Sequence, residues 1–121
     1  GKYHCQAILP GCTIESVISS NGSLTTWYNP QYLAHEIQLR NSAVQFKLAN
    51  SSALNSNLTA KNPLFVFYNY DGRPTVLKAN NVELVAGVDY LASYDTAQKR
   101  LFVTLLKTIQ SQEIIILGLN Y

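Results

Sequence analysis

Apolar and polar residues alternate along His35-Glu36-Ile37-Gln38-Leu39-Arg40, and after Asn41-Ser42 they alternate again through Ala43-Val44-Gln45-Phe46-Lys47-Leu48. A period of two puts successive side chains on opposite faces of an extended strand. The spacing therefore predicts a hairpin with Ile37, Leu39, Val44, Phe46 and Leu48 on one buried face. A second hairpin is predicted from Thr75-Val76-Leu77-Lys78, a turn near Asn80-Asn81, and Val82-Glu83-Leu84-Val85. Asn tolerates the left-handed backbone that such tight turns demand.

Leu64 to Tyr70 is apolar on both faces, with Leu64, Val66, Tyr68 and Tyr70 on one and Phe65 and Phe67 on the other. That is the pattern of a central strand, here ending at Asp71-Gly72. Arg100 to Lys107 and Glu113 to Leu117 are two further bulky apolar runs, read as a closing hairpin. Gln6 to Leu9, Thr13 to Ser19 and Leu24 to Tyr28 are shorter strand candidates, the last two turned by Asn21-Gly22. Only Pro30 to His35 hints at a helical turn, and Ala49 to Asn62 reads as a long polar loop. Short strands with turn signals every 8–12 residues are expected of an antiparallel sandwich or barrel of roughly 7–9 strands. No linker, repeat or shift of composition divides residues 1–121, so a single all-β domain is expected.

From Pro63 onward, the apolar strand, Asp71-Gly72, Val82-Glu83-Leu84, Gly87-Val88-Asp89-Tyr90 and Arg100-Leu101-Phe102-Val103-Thr104-Leu105 follow in an order that resembles immunoglobulin-like modules of microbial surface proteins and secreted glycosidases. The resemblance covers the second half of the chain and implies an immunoglobulin-like β-sandwich serving as spacer, adhesive unit or carbohydrate binder. The Cys-Trp-Cys arrangement of antibody domains is missing.

Charge changes the picture next. Only 13% of the 121 residues are charged, against roughly 25% in ordinary soluble domains. The 36 Asn, Ser, Thr and Gln residues must supply most of the polar surface. With 47% apolar residues and a net charge of +2, the composition argues against disorder and against a nucleic-acid partner. Cys5 and Cys12 flank Leu9-Pro10-Gly11, a turn that would let them close a disulfide; two buried free thiols are the alternative. Asn21, Asn50 and Asn57 each head an Asn-x-Ser/Thr triplet and are N-glycosylation candidates. These features agree with an extracellular or cell-surface setting. No apolar run reaches the roughly 20 residues of a membrane span, and the chain contains neither Met nor a charged-then-apolar leader, as expected of a mature secreted form or an excised segment.

Enzyme chemistry is poorly represented. GxGxxG, GxxxxGK and GxSxG are missing, His35-Glu36 lacks the second His of HExxH, and His4 beside Cys5 has no spacing that completes four metal ligands. No cofactor, metal site or catalytic residue is therefore assigned. His35, opening an alternating strand, is expected at an exposed strand edge. Asp71, Asp89 and Asp95 are read as turn caps in preference to a calcium site. Trp27, Tyr28 and Tyr32 cluster around Asn29-Pro30 and form a candidate stacking platform for sugar rings, with plugging of the core as the competing use. Two functions emerge. One is a non-catalytic structural or adhesive module, such as a filament or cell-surface subunit, that associates with itself or other surface proteins through strand edges, with Lys2 to Leu9 as candidate donor strand. The other is a carbohydrate-binding module.

Overall fold

A computed structural model describes residues 12–20, 25–29, 31, 34–50, 60–110 and 113–121; at 12–20, 25, 27, 28, 50 and 60 the description stops at the backbone. The strands are β1 (Cys12–Ser20), β2 (Thr25–Asn29), β3 (Ala34–Gln38), β4 (Val44–Asn50), β5 (Ala60–Lys61), β6 (Leu64–Tyr68), β7 (Leu77–Ala79), β8 (Val82–Glu83), β9 (Tyr90–Asp95), β10 (Arg100–Leu105), β11 (Thr108–Ile109) and β12 (Glu113–Leu119). One five-stranded sheet runs β1-β4-β12-β7-β8, a second runs β2-β3-β6-β10-β9, and β11 and β5 form a ribbon. Among the described residues there is no helix, so the fold is all-β. Setting aside the two-residue strands β5, β8 and β11, nine strands make up the two sheets among the described residues. Among the described residues every strand pairing is antiparallel except β3 with β6, which run parallel from Ala34↔Leu64 to Gln38↔Tyr68. That pair departs from the wholly antiparallel expectation.

The sheets face each other across one core. Phe46 of β4 stands 5.7 Å from Phe65 and 6.3 Å from Phe67 of β6, ring centroid to ring centroid. Val44, Leu48, Ile115, Leu117 and Leu119 line the core from the first sheet, and Ile37, Leu101, Val103 and Leu105 from the second. Burial of side chains of this size contributes about 1.5–3 kcal/mol each. The arrangement is sandwich-like.

Two predicted hairpins are not hairpins. β3 and β4 lie in different sheets, as do β10 and β12. The faces agree with the alternation, since Ile37, Leu39, Val44, Phe46 and Leu48 are all buried. The partners differ, because both edges of β3 are taken by β2 and β6, and both edges of β10 by β6 and β9. Alternation fixes which face is apolar; a hairpin and two opposed sheets satisfy it equally. The link between β3 and β4 is anchored on both sides: Leu39 N donates to Tyr68 O at 3.1 Å, and Asp71 N donates to Ser42 Oγ at 2.8 Å.

β1 and β2, expected to turn on Asn21-Gly22, also belong to separate sheets. Ala34 and His35 are strand and not helix, and the polar loop is shorter than expected, since Ala49 and Asn50 end β4 while Ala60 and Lys61 form β5. The β7–β8 hairpin is present, with Asn80 and Asn81 at φ 51° and 67°. Two consecutive left-handed residues are the turn that matches the twist of a tight hairpin. β6 is central, as its two apolar faces suggested.

Candidate functional site

Because Phe65 and Phe67 point into the core, Leu64, Val66 and Tyr68 fall on the outer face of the second sheet. Ala34 and Glu36 of β3 flank them on one side, and Arg100 and Phe102 of β10 on the other. Together these residues line a groove of about 390 Å³. Tyr68 donates its hydroxyl to Glu36 Oε2 at 2.7 Å. The Arg100 guanidinium lies 5.3 Å from the Phe102 ring centroid and donates from Nη2 to Asp95 Oδ2 at 2.7 Å. That bond is the main reason the Asp95 carboxyl sits below its usual range. An apolar floor with a carboxylate, a phenol and a guanidinium at its rim can pack against an aliphatic or sugar face while bonding hydroxyls.

Of the residues singled out in the sequence, Trp27 and Tyr28 lie in β2, where the register sets Trp27 opposite Glu36 and Tyr28 opposite His35. Tyr32, Asn21, Asn57, Cys5, His4 and the segment Lys2 to Leu9 lie outside the described residues. Cys12 opens β1 and Asn50 closes β4, and the two are register partners. Asn50 also pairs with Glu113, so its backbone belongs to a strand bonded on both sides and not to the loop expected from sequence.

His35 corrects another expectation. It is 2% exposed, its ring stacks on Phe65 at 5.4 Å, and burial pushes its imidazole down to about 3. The three Asp residues do cap turns. Asp71 Oδ1 accepts from Arg73 N at 3.1 Å, Asp89 Oδ2 from Val85 N at 2.7 Å, and Asp95 Oδ1 from Ala97 N at 3.1 Å. Arg73 and Ser42 hold the Asp71 carboxyl down at about 2. Among the described residues, no three His, Cys, Asp or Glu side chains gather as metal ligands, and no helix is long and apolar enough to cross a membrane.

Among the described residues, the second sheet ends in β9, which has β10 on one side only. Before it, the chain from Val85 to Asp89 bonds to itself: Val88 N and Asp89 N both donate to Val85 O, and Gly87 N donates to Tyr90 O at 2.7 Å. This closed loop holds Val85 and Val88 in water at 58% and 68% exposure, next to Leu91 at 52%. Apolar side chains left in water beside an open strand edge mark a surface suited to association.

Neither the groove nor the β9 edge is among the sites expected from sequence. The outer parity of β6 is the signal for the groove, since Leu64, Val66 and Tyr68 would be polar on a sheet face turned to bulk water. The alternation Tyr90, Ala92, Tyr94 is the signal for β9. Comparison of the chain with protein-family models, with curated proteins and with solved structures finds no match.

Proposed function

We propose that this chain is a non-catalytic extracellular module with an immunoglobulin-like β-sandwich, acting as a structural or adhesive subunit of a cell surface or filament and assembling through strand edges. The observation that carries this reading is the β9 edge, where a strand open on one side among the described residues shares an exposed border with Leu91, Val85 and Val88. An edge of this kind accepts another strand through main-chain hydrogen bonds, and sparse surface charge lets copies approach. The two opposed five-stranded sheets support the sandwich class. Light scattering over a concentration series, with the full chain and with residues 2–9 removed, tests the reading. Assembly that grows with concentration is expected, and loss of assembly without residues 2–9 would identify that segment as donor strand. A monomer at every concentration in both would sink edge assembly.

A second reading, a carbohydrate-binding module, is favoured by one observation: the register sets Trp27 opposite Glu36, which lines the groove with Tyr68 and Phe102. Aromatic faces beside a carboxylate and a guanidinium suit a saccharide. Tryptophan fluorescence titrated with glucan, xylan and chitin should respond in the unsubstituted chain and lose the response in Tyr68→Ala. No response to any of the three would end this reading.

A further inference from the structure

We propose that β9 pairs with β9 of a second copy of this chain, antiparallel about a two-fold axis at Ser93, joining the two outer sheets into one. This rests on the edge-assembly reading and names its edge, partner and register.

The hydrogen bonds fix which groups are free. Leu106 N donates to Asp89 O at 2.9 Å, and the β9–β10 register runs unbroken from Tyr90↔Leu105 to Asp95↔Arg100. Bonded pairs alternate along an antiparallel ladder. Leu91, Ser93 and Asp95 therefore turn their backbone groups to β10, while Tyr90, Ala92 and Tyr94 turn theirs outward. The Tyr90 backbone is already engaged by a parallel bridge to Ala86, in which Gly87 N donates to Tyr90 O. What is left open, among the described residues, is the N–H and C=O of Ala92 and of Tyr94.

A two-fold antiparallel arrangement can use all four groups of each copy in one register only, with Ala92 opposite Tyr94 of the second copy. A slip of one copy by two residues sets Ala92 or Tyr94 opposite itself and matches the other to Tyr90 or to Thr96, which lies in the turn after β9. Four main-chain hydrogen bonds would close the correct register.

The chemistry of the edge favours its own copy. Tyr90 to Tyr94 carries no charge and no Pro, and β9 has no bulge, so the usual guards against self-pairing are missing. In this register Thr96 of each copy falls opposite Tyr90 of the other, so the Thr96–Lys99 turn, with one positive charge, approaches the end of the edge that follows Asp89. Val85, Val88 and Leu91 flank the same junction.

Sedimentation of the full chain over a concentration series, compared with Ala92→Pro, tests the proposal. The Ala92 N–H faces away from β10, so Pro leaves the internal ladder intact. Self-association at least tenfold weaker with an unchanged far-ultraviolet dichroism spectrum is expected. Disulfide cross-linking tests the register independently of that variant. Facing residues at a non-hydrogen-bonded site are about 4.5 Å apart between Cα atoms, within the range of about 4.4–6.8 Å that a disulfide spans. Ser93→Cys should therefore form a disulfide dimer on mild oxidation, above the level of the unsubstituted chain, and Leu91→Cys should not. If Ala92→Pro associates as well as the unsubstituted chain and Ser93→Cys cross-links no faster than Leu91→Cys, β9 pairing is wrong while assembly through another edge stands. If the unsubstituted chain is monomeric throughout, both fall.

Discussion

Asn120 donates from Nδ2 to the phenolic oxygen of Tyr70 at 2.7 Å, tying the chain after β12 to the chain after β6 across 50 residues of sequence. Tyr70 in turn donates to Arg73 O at 2.9 Å, and Asn120 also donates to Ser42 O at 2.9 Å and accepts from Val76 N at 2.8 Å. Three separate stretches, the β3–β4 link, the β6–β7 link and the chain after β12, are thus held by one amide and one phenol. Tyr70 is 1% exposed, so removing its hydroxyl leaves bonding groups without a partner in a place water reaches poorly.

Tyr70→Phe is accordingly expected to lower unfolding free energy by about 1–3 kcal/mol. Denaturant unfolding of Tyr70→Phe, Asn120→Ala and the double variant should show the two losses to be less than additive, by at least about 0.5 kcal/mol.

Adjacent residues of the β7–β8 turn should respond with opposite signs. Asn80 Oδ1 accepts from Ile116 N at 2.9 Å, so Asn80→Gly loses a bond to β12 that outweighs the relief of its own left-handed φ of 51°, and should cost about 0.5 kcal/mol. Asn81, at φ 67°, has no such bond among the described residues, and Asn81→Gly relieves the left-handed backbone with a gain of about 0.5 kcal/mol. Thermal midpoints of the two variants check the contrast.

Gly72 has φ 86°, and a Cβ placed on it would lie 3.0 Å from Tyr94 Cε2. The Tyr94 hydroxyl donates to Tyr70 O at 3.0 Å, so the ring is held in place. Gly72→Ala should cost about 1–3 kcal/mol from backbone strain alone, with further loss if Tyr94 is displaced. Gly87 has a similar φ of 84° but open space around its Cβ, so Gly87→Ala should be the milder variant in the same thermal assay.

Acid should weaken the fold through His35. The unfolded chain takes up a proton below 6.5, whereas the buried imidazole resists until about 3. Stability therefore falls as pH drops through that window, by about 1.4 kcal/mol per pH unit. Asp71 acts later: its carboxyl is held at about 2 against 3.8, so its contribution is present above 3.8 and lost as pH falls toward 2. In His35→Phe the slope of unfolding free energy against pH between 6 and 4 should flatten; an unchanged slope would show that another group carries it.

The faces of the strands are legible in the sequence because alternation is a local property. Ile37, Phe46 and Phe67 can each be assigned to the interior from their neighbours in sequence. Pairing is not legible, since nothing in residues 35–48 distinguishes a hairpin from two strands that part into opposed sheets. The competition for the edges of β3 is decided by β2 and by the distant β6. The burial of His35 escapes a sequence reading for a related reason. It depends on Phe65, thirty positions away in sequence. The Asn80-Asn81 turn and the three Asp caps are legible because their partners lie within a few residues.

The parting of β3 from β4 and of β10 from β12 bears on how the chain reaches this state. Neither sheet can be completed from a continuous stretch of sequence: β12, which follows all the other described strands in the chain, supplies the middle strand of the first sheet, between β4 and β7. A chain still emerging, or cut short before Glu113, would leave β4 and β7 without the strand that joins them. Folding must therefore wait for β12 and bring distant segments together in one step, which makes it slow and all-or-none. Until then the half-formed molecule exposes far more open strand than the finished one, and its early survival depends on how quickly the seven residues of β12 arrive.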